Sequence, residues 1–227
     1  MKLFRKTRSL EKKILYKFND LSLLDNALKH PSFVDRRIDS NQRLEFLGDA
    51  VLEIAVSSFL YDNYPGMEEG QLTEHRRRLV QKAYLAERAE EIGLFEYLFL
   101  GDAEKLLKGE ARIGMLADAY EAVIGAIFVD GGIKAAKNFI WKFHLDDVDN
   151  VFENDEYRNY KGEFLEFAQS IGLQPSYSLV KAEGEKHSQI FTCSVSLDGE
   201  IIAEGCGTSK KSAEQMAARK ALEKILE

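Results

Sequence analysis

The residue periodicity of this chain changes once, and the change falls on an acidic, polar stretch. Before it, apolar residues recur every three or four positions, the repeat that sets one face of a helix against a core. Leu21, Leu24 and Leu28 form a short stripe. The pattern continues from Leu44 to Leu60, Leu79 to Ile92, Ala117 to Phe128 and Ala135 to Phe143. None of these runs shows the strict alternation of a strand. Pro65-Gly66 and Gly131-Gly132 punctuate them as turns. Gly48 and Gly125 lie inside helical patterns, where glycine costs about 1 kcal/mol relative to alanine, so they point to closely packed helices or to backbone near a ligand. Residues 1–145 read as an all-α domain.

The acidic stretch, with Asp146, Asp147, Asp149, Glu153, Asp155 and Glu156, reads as a linker over 146–157. Beyond it, Gly162 to Ile171 is helical, with Phe164, Phe167, Ala168 and Ile171 sharing a face. Tyr177 to Lys181 and Ile190 to Leu197 alternate as strands, Asp198-Gly199 is a two-residue hairpin turn, and Ile201 to Gly205 supplies a third strand. Ser212 to Leu226 is a last helix, with Ala213, Met216, Ala217, Ala221 and Leu222 as its buried face. Residues 158–227 therefore read as a smaller α+β domain in the order α-β-β-β-α. A chain of 227 residues suits two such domains.

Composition narrows the setting. No apolar run approaches the ~20 residues needed to span a bilayer, and Met1 to Lys13 lacks the apolar core of a secretion signal. Cys193 and Cys206 make no disulfide framework and have no partners at metal-ligand spacing, so they read as buried or half-buried thiols in a reducing, cytoplasmic compartment. A formal net charge of −7 taken alone argues against nucleic acid. Net charge averages over the whole surface, however, so an acidic total does not by itself exclude a face suited to phosphate.

The residues that carry chemistry are two carboxylate pairs. Glu45 and Asp49 are four apart, so a helix places them on one face, among Leu44, Phe46, Leu47, Val51 and Leu52. Asp118 and Glu121 repeat the arrangement at a spacing of three, among Met115, Leu116, Tyr120, Val123 and Ile124. Ionised carboxylates in apolar surroundings are costly unless paired or bound to metal. Two such pairs, brought together, would suit a hard cation such as Mg²⁺ or Mn²⁺. Spacing alone also allows each pair to be the solvated stripe of its helix, and Glu53 extends the first stripe by a further turn.

The run Asn41-Gln42-Arg43-Leu44-Glu45-Phe46-Leu47-Gly48-Asp49-Ala50-Val51-Leu52 closely resembles the signature segment of the ribonuclease III family. Leu116-Ala117-Asp118-Ala119-Tyr120-Glu121-Ala122-Val123 resembles that family's second acidic helix, down to the Asp130-Gly131-Gly132 that follows. Ala27-Leu28-Lys29-His30-Pro31-Ser32-Phe33 looks like an earlier family segment, with Pro31 where Arg is commoner. The resemblance implies an all-α ribonuclease III endonuclease domain. It makes Glu45, Asp49, Asp118 and Glu121 the catalytic carboxylates, with Glu45, Asp118 and Glu121 on Mg²⁺ (Mn²⁺ as a substitute). The implied products carry 5′-phosphate and 3′-hydroxyl. Gln42 stands where the family usually has Glu near the cleavage site, which implies an altered rate or site preference, and Glu69 matches an auxiliary acid. The resemblance also implies a homodimer in which each subunit cuts one strand. Phe46, which by residue type alone reads as core, then becomes an aromatic that inserts into the partner.

In the second half, Thr208-Ser209-Lys210-Lys211-Ser212-Ala213-Glu214-Gln215-Met216-Ala217-Ala218 strongly resembles the closing motif of the double-stranded-RNA-binding domain. A-form RNA presents a wide, shallow minor groove of 2′-hydroxyls flanked by phosphates, and a helix N-terminus bearing lysines suits those phosphates. The resemblance makes Lys161, Lys210 and Lys211 phosphate contacts. It turns Glu166 toward a minor groove and places His187 in the loop between the first two strands. Leu165 stands where Gln is common, and Gln215 where Lys often stands. Residues 157–227 hold nine Lys and Arg against ten Asp and Glu, which implies modest binding by this half alone.

The expected activity is thus endonucleolytic cleavage of double-stranded RNA, including stems of ribosomal precursors. A protein that keeps the fold and binds RNA without cutting would be marked by loss of one of the four acids, and all four are present.

Overall fold

The computed structural model describes residues 2–146, 148–153, 158–184 and 189–226. They fall into two compact units, Met1–Tyr157 and Arg158–Glu227. The first unit is helical: α1 (Lys2–Lys13), α2 (Leu21–Ala27), α3 (Gln42–Asn63), α4 (Glu69–Val80), α5 (Lys82–Glu91), α6 (Glu110–Phe143) and α7 (Val148–Glu153), with short 3₁₀ turns between. Helix α6 is buried on almost every side from Met115 to Ile127, as expected of a helix that is apolar all round. Helix α3 lies along it as the most extensive helix pairing of the unit, contributing Leu44, Val51, Leu52, Ala55, Val56 and Leu60 to the core.

Two glycines set how near these helices come. A Cβ built on Gly48 would overlap the backbone carbonyl of Glu121, and one on Gly125 would overlap that of Leu44. The α3 and α6 backbones therefore touch at this crossing, and any side chain at either position would force them apart. Gly132, with φ of +72° and ψ of −175°, is non-helical and kinks α6 where the Gly131-Gly132 spacing predicts a turn, so the segment is two helical stretches joined at that point. Just before the break, Asp130 accepts from the Tyr16 hydroxyl at 2.7 Å and from the Asn19 and Asp20 amides at 3.0 and 2.9 Å. These bonds pin the chain leading into α2 onto α6.

The structure departs from the sequence reading in two places here. The run from Leu79 to Ile92 is two helices, because Gln81 is extended (ψ of 147°) and serves as N-cap of α5. Part of the expected linker is helix α7, whose Val148 and Val151 are buried in the core of the first unit. Their spacing of three gives α7 an apolar face that the surrounding acids obscured. The Arg78 guanidinium donates to the Phe152 carbonyl at 2.8 Å and fastens it to α4.

The second unit has α8 (Tyr160–Ser170), an antiparallel sheet of β1 (Pro175–Glu183), β2 (Ile190–Leu197) and β3 (Glu200–Gly207) in the order β1-β2-β3, and α9 (Lys210–Leu226). Asp198 and Gly199 both have positive φ, 49° and 83°, as a two-residue hairpin matched to strand twist requires. The core is Tyr160, Phe164, Ala168, Val195, Leu197, Ala203, Ala217, Ala218 and Ala221. Met216, expected in it, is 38% exposed, and Ala218 takes the buried place. The helix lies so close to β3 that a Cβ on Gly205 would overlap the Ala217 backbone, so alanines rather than long side chains face the sheet. Both cysteines are free, but only Cys193 is buried. Cys206 is exposed on β3, a strand at the sheet edge.

Candidate active site

The touching backbones at Gly48 and Gly125 bring the two carboxylate pairs together. Glu45 lies one turn before the α3 side of the crossing and Asp49 beside it; Asp118 and Glu121 lie two turns and one turn before Gly125 on α6. One oxygen each from Glu45, Asp118 and Glu121 lies within 4.8 Å of the others. Glu121 is the most deeply set, at 9% exposure; Glu45 and Asp118 are half-buried. Asp49 is exposed and stands outside this group of three, although its charge acts on Glu121.

The electrostatic cost of the arrangement falls on Glu121. Burial, and then the charges of Asp49, Asp118 and Glu45, push its carboxyl up to about 8. Burial and the charge of Asp118 raise Glu45 in the same direction. A set of oxygens that repel one another when ionised, on the rigid bodies of two packed helices, is chemically fitted to a hard divalent cation. No sulfur or nitrogen ligand belongs to the group.

Lys82, which the sequence reading passed over, enters this site. It is the first residue of α5, and its Nζ lies 2.8 Å from Asp118 Oδ1. On the sequence it looks like a solvated lysine inside one long helix; the turn at Gln81 that aims it at the acids had no glycine or proline to announce it. His30 is also nearby: the charges of Glu104 and Asp118 act on it, yet burial lowers its pKa overall. Its Nδ1 lies 2.8 Å from the Ser32 hydroxyl.

Glu69 is not among the three converging acids, and Gln42, an amide, lies on α3 one turn before Glu45. Gln42 is exposed at the start of α3, and Glu69 is exposed in the first turn of α4, where its carboxylate accepts from the Thr73 hydroxyl at 2.9 Å. Phe46 is 81% exposed, which overturns its reading as core from residue type. Ile54, at 60%, and Tyr61, at 75%, continue an uncovered apolar face along α3.

On the second unit, Lys210 and Lys211 are exposed in the first turn of α9, and Glu166 is exposed on α8. Lys161 is engaged within the unit: its ammonium lies 2.6 Å from Glu214 and 4.4 Å from the centre of the Tyr177 ring. Gln215 is engaged too, accepting from the Lys161 amide at 3.1 Å and donating to Asn159 at 3.0 Å. His187 lies outside the described residues.

Comparison with known proteins decides what this geometry belongs to. The family pattern described as Ribonuclease-III-like matches residues 20–148, and the double-stranded RNA binding motif matches residues 160–225. The chain belongs to the ribonuclease III family. It is 37% identical to Ribonuclease 3 of Bdellovibrio bacteriovorus over 95% of this chain and 94% of that one. It is 42% identical to Ribonuclease 3 of Desulfotalea psychrophila over 97% and 93%. Among solved structures, the nuclease domain of ribonuclease III from Campylobacter jejuni, described for flexibility in its region of dimer formation, is similar. It is 34% identical with a TM-score of 0.57, covering 64% of this chain and 97% of that one. No described helix is long and apolar enough to cross a membrane.

Glu121 gives the metal-free protein a distinctive pH dependence. Its folded-state pKa, about 8, lies above the ordinary 4.5, so the native protein keeps a proton that the unfolded chain releases. The stability this contributes is fully present below pH 4.5 and is lost as pH rises to about 8. In EDTA, the Glu121 contribution to unfolding free energy measured in urea is expected to decline across that window by up to about 1.4 kcal/mol per pH unit. Glu121→Gln should show a flatter curve, so that its stability relative to wild type grows with pH. Parallel curves would contradict this assignment.

Proposed function

We propose that Glu45, Asp49, Asp118 and Glu121 form the catalytic centre with which this protein hydrolyses double-stranded RNA. The chain is an endoribonuclease of the ribonuclease III family, with the nuclease unit and the RNA-binding motif in one polypeptide. The observation that carries the reading is the convergence of three carboxylates from two helices to within 4.8 Å in a partly buried setting.

Glu45, Asp118 and Glu121 would hold the divalent ion, Mg²⁺ by preference and Mn²⁺ as a substitute. Such an ion, when bound, lowers the pKa of a water, polarises the scissile phosphate and stabilises the departing 3′ oxygen, giving 5′-phosphate and 3′-hydroxyl ends. The residues of the chain do the rest. Glu121, the most buried, fixes the position of the centre. Asp49 adds negative charge at its exposed rim. Gln42 and Glu69, outside the group of three, would touch RNA near the cut rather than metal.

In the second unit, Lys210 and Lys211 would meet phosphates at the start of α9, where the helix dipole adds to their charge. Glu166 and His187 would face the minor groove. The bonds of Lys161 to Glu214 and Tyr177 leave it a smaller share in phosphate binding than its position alone implies. We read Phe46 as the aromatic that inserts into a second copy, because it belongs to an uncovered apolar face of α3 with Ile54 and Tyr61 that a symmetric pair would cover. The two centres of such a dimer would cut opposite strands of structured RNAs such as ribosomal precursors. Two free thiols fit a cytoplasmic setting.

Incubation of a perfect RNA duplex with Mg²⁺ tests the reading. Wild type should cut it and leave 5′-phosphates. Glu121→Gln should still bind the duplex and cut at least about a hundredfold more slowly. A wild-type protein that binds the duplex but leaves it whole would sink the enzyme reading, and normal cleavage by Glu121→Gln would remove that residue's role. In sedimentation, wild type is expected at the mass of two subunits and Phe46→Ala shifted toward one; a single-subunit mass for wild type would overturn the dimer.

A further inference from the structure

Lys82 reaches the acidic centre from a third helix. Its ammonium pairs with Asp118 at 2.8 Å, and its charge also acts, through space, on Glu45 and Glu121, the other two converging carboxylates. The lysine side chain is 64% exposed and that of Asp118 is 32% exposed, which places the pair at the open edge of the centre. A lysine ammonium is a compact, well-hydrated charge on a flexible stem, and a pair this exposed is weak. It is therefore a contact that a divalent ion can displace. In the metal-free protein, the same contact offsets part of the repulsion among the acids.

We propose that Lys82 is a built-in counter-cation of the metal site, a positioning residue that holds Asp118 while the site lacks its ion. It gives up that carboxylate when the ion binds, and so weakens and tunes metal affinity before RNA arrives. The inference rests on the reading of Glu45, Asp118 and Glu121 as the metal site. Two consequences separate it from an ordinary surface ion pair. Removal of the ammonium frees Asp118 for the ion and also removes a positive charge that repels it, so affinity rises. Removal also leaves the acids uncompensated, so the metal-free protein loses stability. A lysine with a merely structural role would produce the second effect without the first.

The test is a calorimetric titration of the full chain with Mn²⁺ in the absence of RNA, paired with thermal unfolding with and without the ion. Lys82→Met is expected to bind Mn²⁺ about threefold to tenfold more tightly than wild type. Its metal-free Tm should be lower and the rise on adding Mn²⁺ larger. Lys82→Arg, which keeps the charge, should retain the wild-type affinity. Equal or weaker Mn²⁺ binding by Lys82→Met overturns the proposal, as does an Arg variant that behaves like Met. Glu121→Gln serves as the control on the site. If it binds Mn²⁺ as wild type does, or if wild type binds none, the metal-site reading fails, and the role of Lys82 fails with it.

Discussion

At the α3–α6 crossing, Gly48 and Gly125 let two helix backbones touch, and the position of every acid in the centre follows from that contact. Helices with ordinary side chains at their crossing stand 8–10 Å apart, as is general for such packing. With glycine on both sides the axes come nearer, and the side chains one turn away converge. Glu45, Asp118 and Glu121 meet because the backbones beneath them do. The same closeness buries Glu121 among like charges and raises its pKa. The rigidity of a buried α6 prevents the acids from relaxing apart. The fold thus maintains a group of acids whose mutual repulsion a bound cation would relieve.

Much of this was legible in the sequence because helical periodicity reports faces directly. The two carboxylate pairs, the glycines inside apolar patterns and the switch to strands after residue 158 all follow from spacing. Spacing does not report which of two amphipathic faces will be covered. Phe46 looked like core from its type, yet it is exposed on α3 because the inner side of that helix is already filled by Leu44, Val51, Leu52 and Ala55. Nor does composition reveal short helices. Two valines three apart are enough to bury α7, although acidic residues surround them.

Lys82 was invisible for a related reason. Its place beside the acids comes from a change of chain direction at Gln81, which is extended although its residue type carries no such preference. Tertiary packing chose the break. In the second unit the residue pattern reports the order of the elements but not which surface charges are already paired. Lys161 is spent on Glu214 and Tyr177, and Gln215 on Asn159 and the Lys161 amide. These internal bonds hold α8 to α9 and reduce the charge the unit offers to phosphate, in keeping with its near balance of acidic and basic residues.

In the reading proposed here, the α3–α6 crossing presents Glu45, Asp118 and Glu121 to one divalent ion. A crystal of the wild-type protein grown with Mn²⁺ and without RNA, measured for anomalous scattering, tests it most directly. An anomalous peak coordinated by oxygens of these three residues is expected, with the Lys82 ammonium withdrawn from Asp118. A peak elsewhere on the protein, or none at the three carboxylates at saturating Mn²⁺, would contradict it.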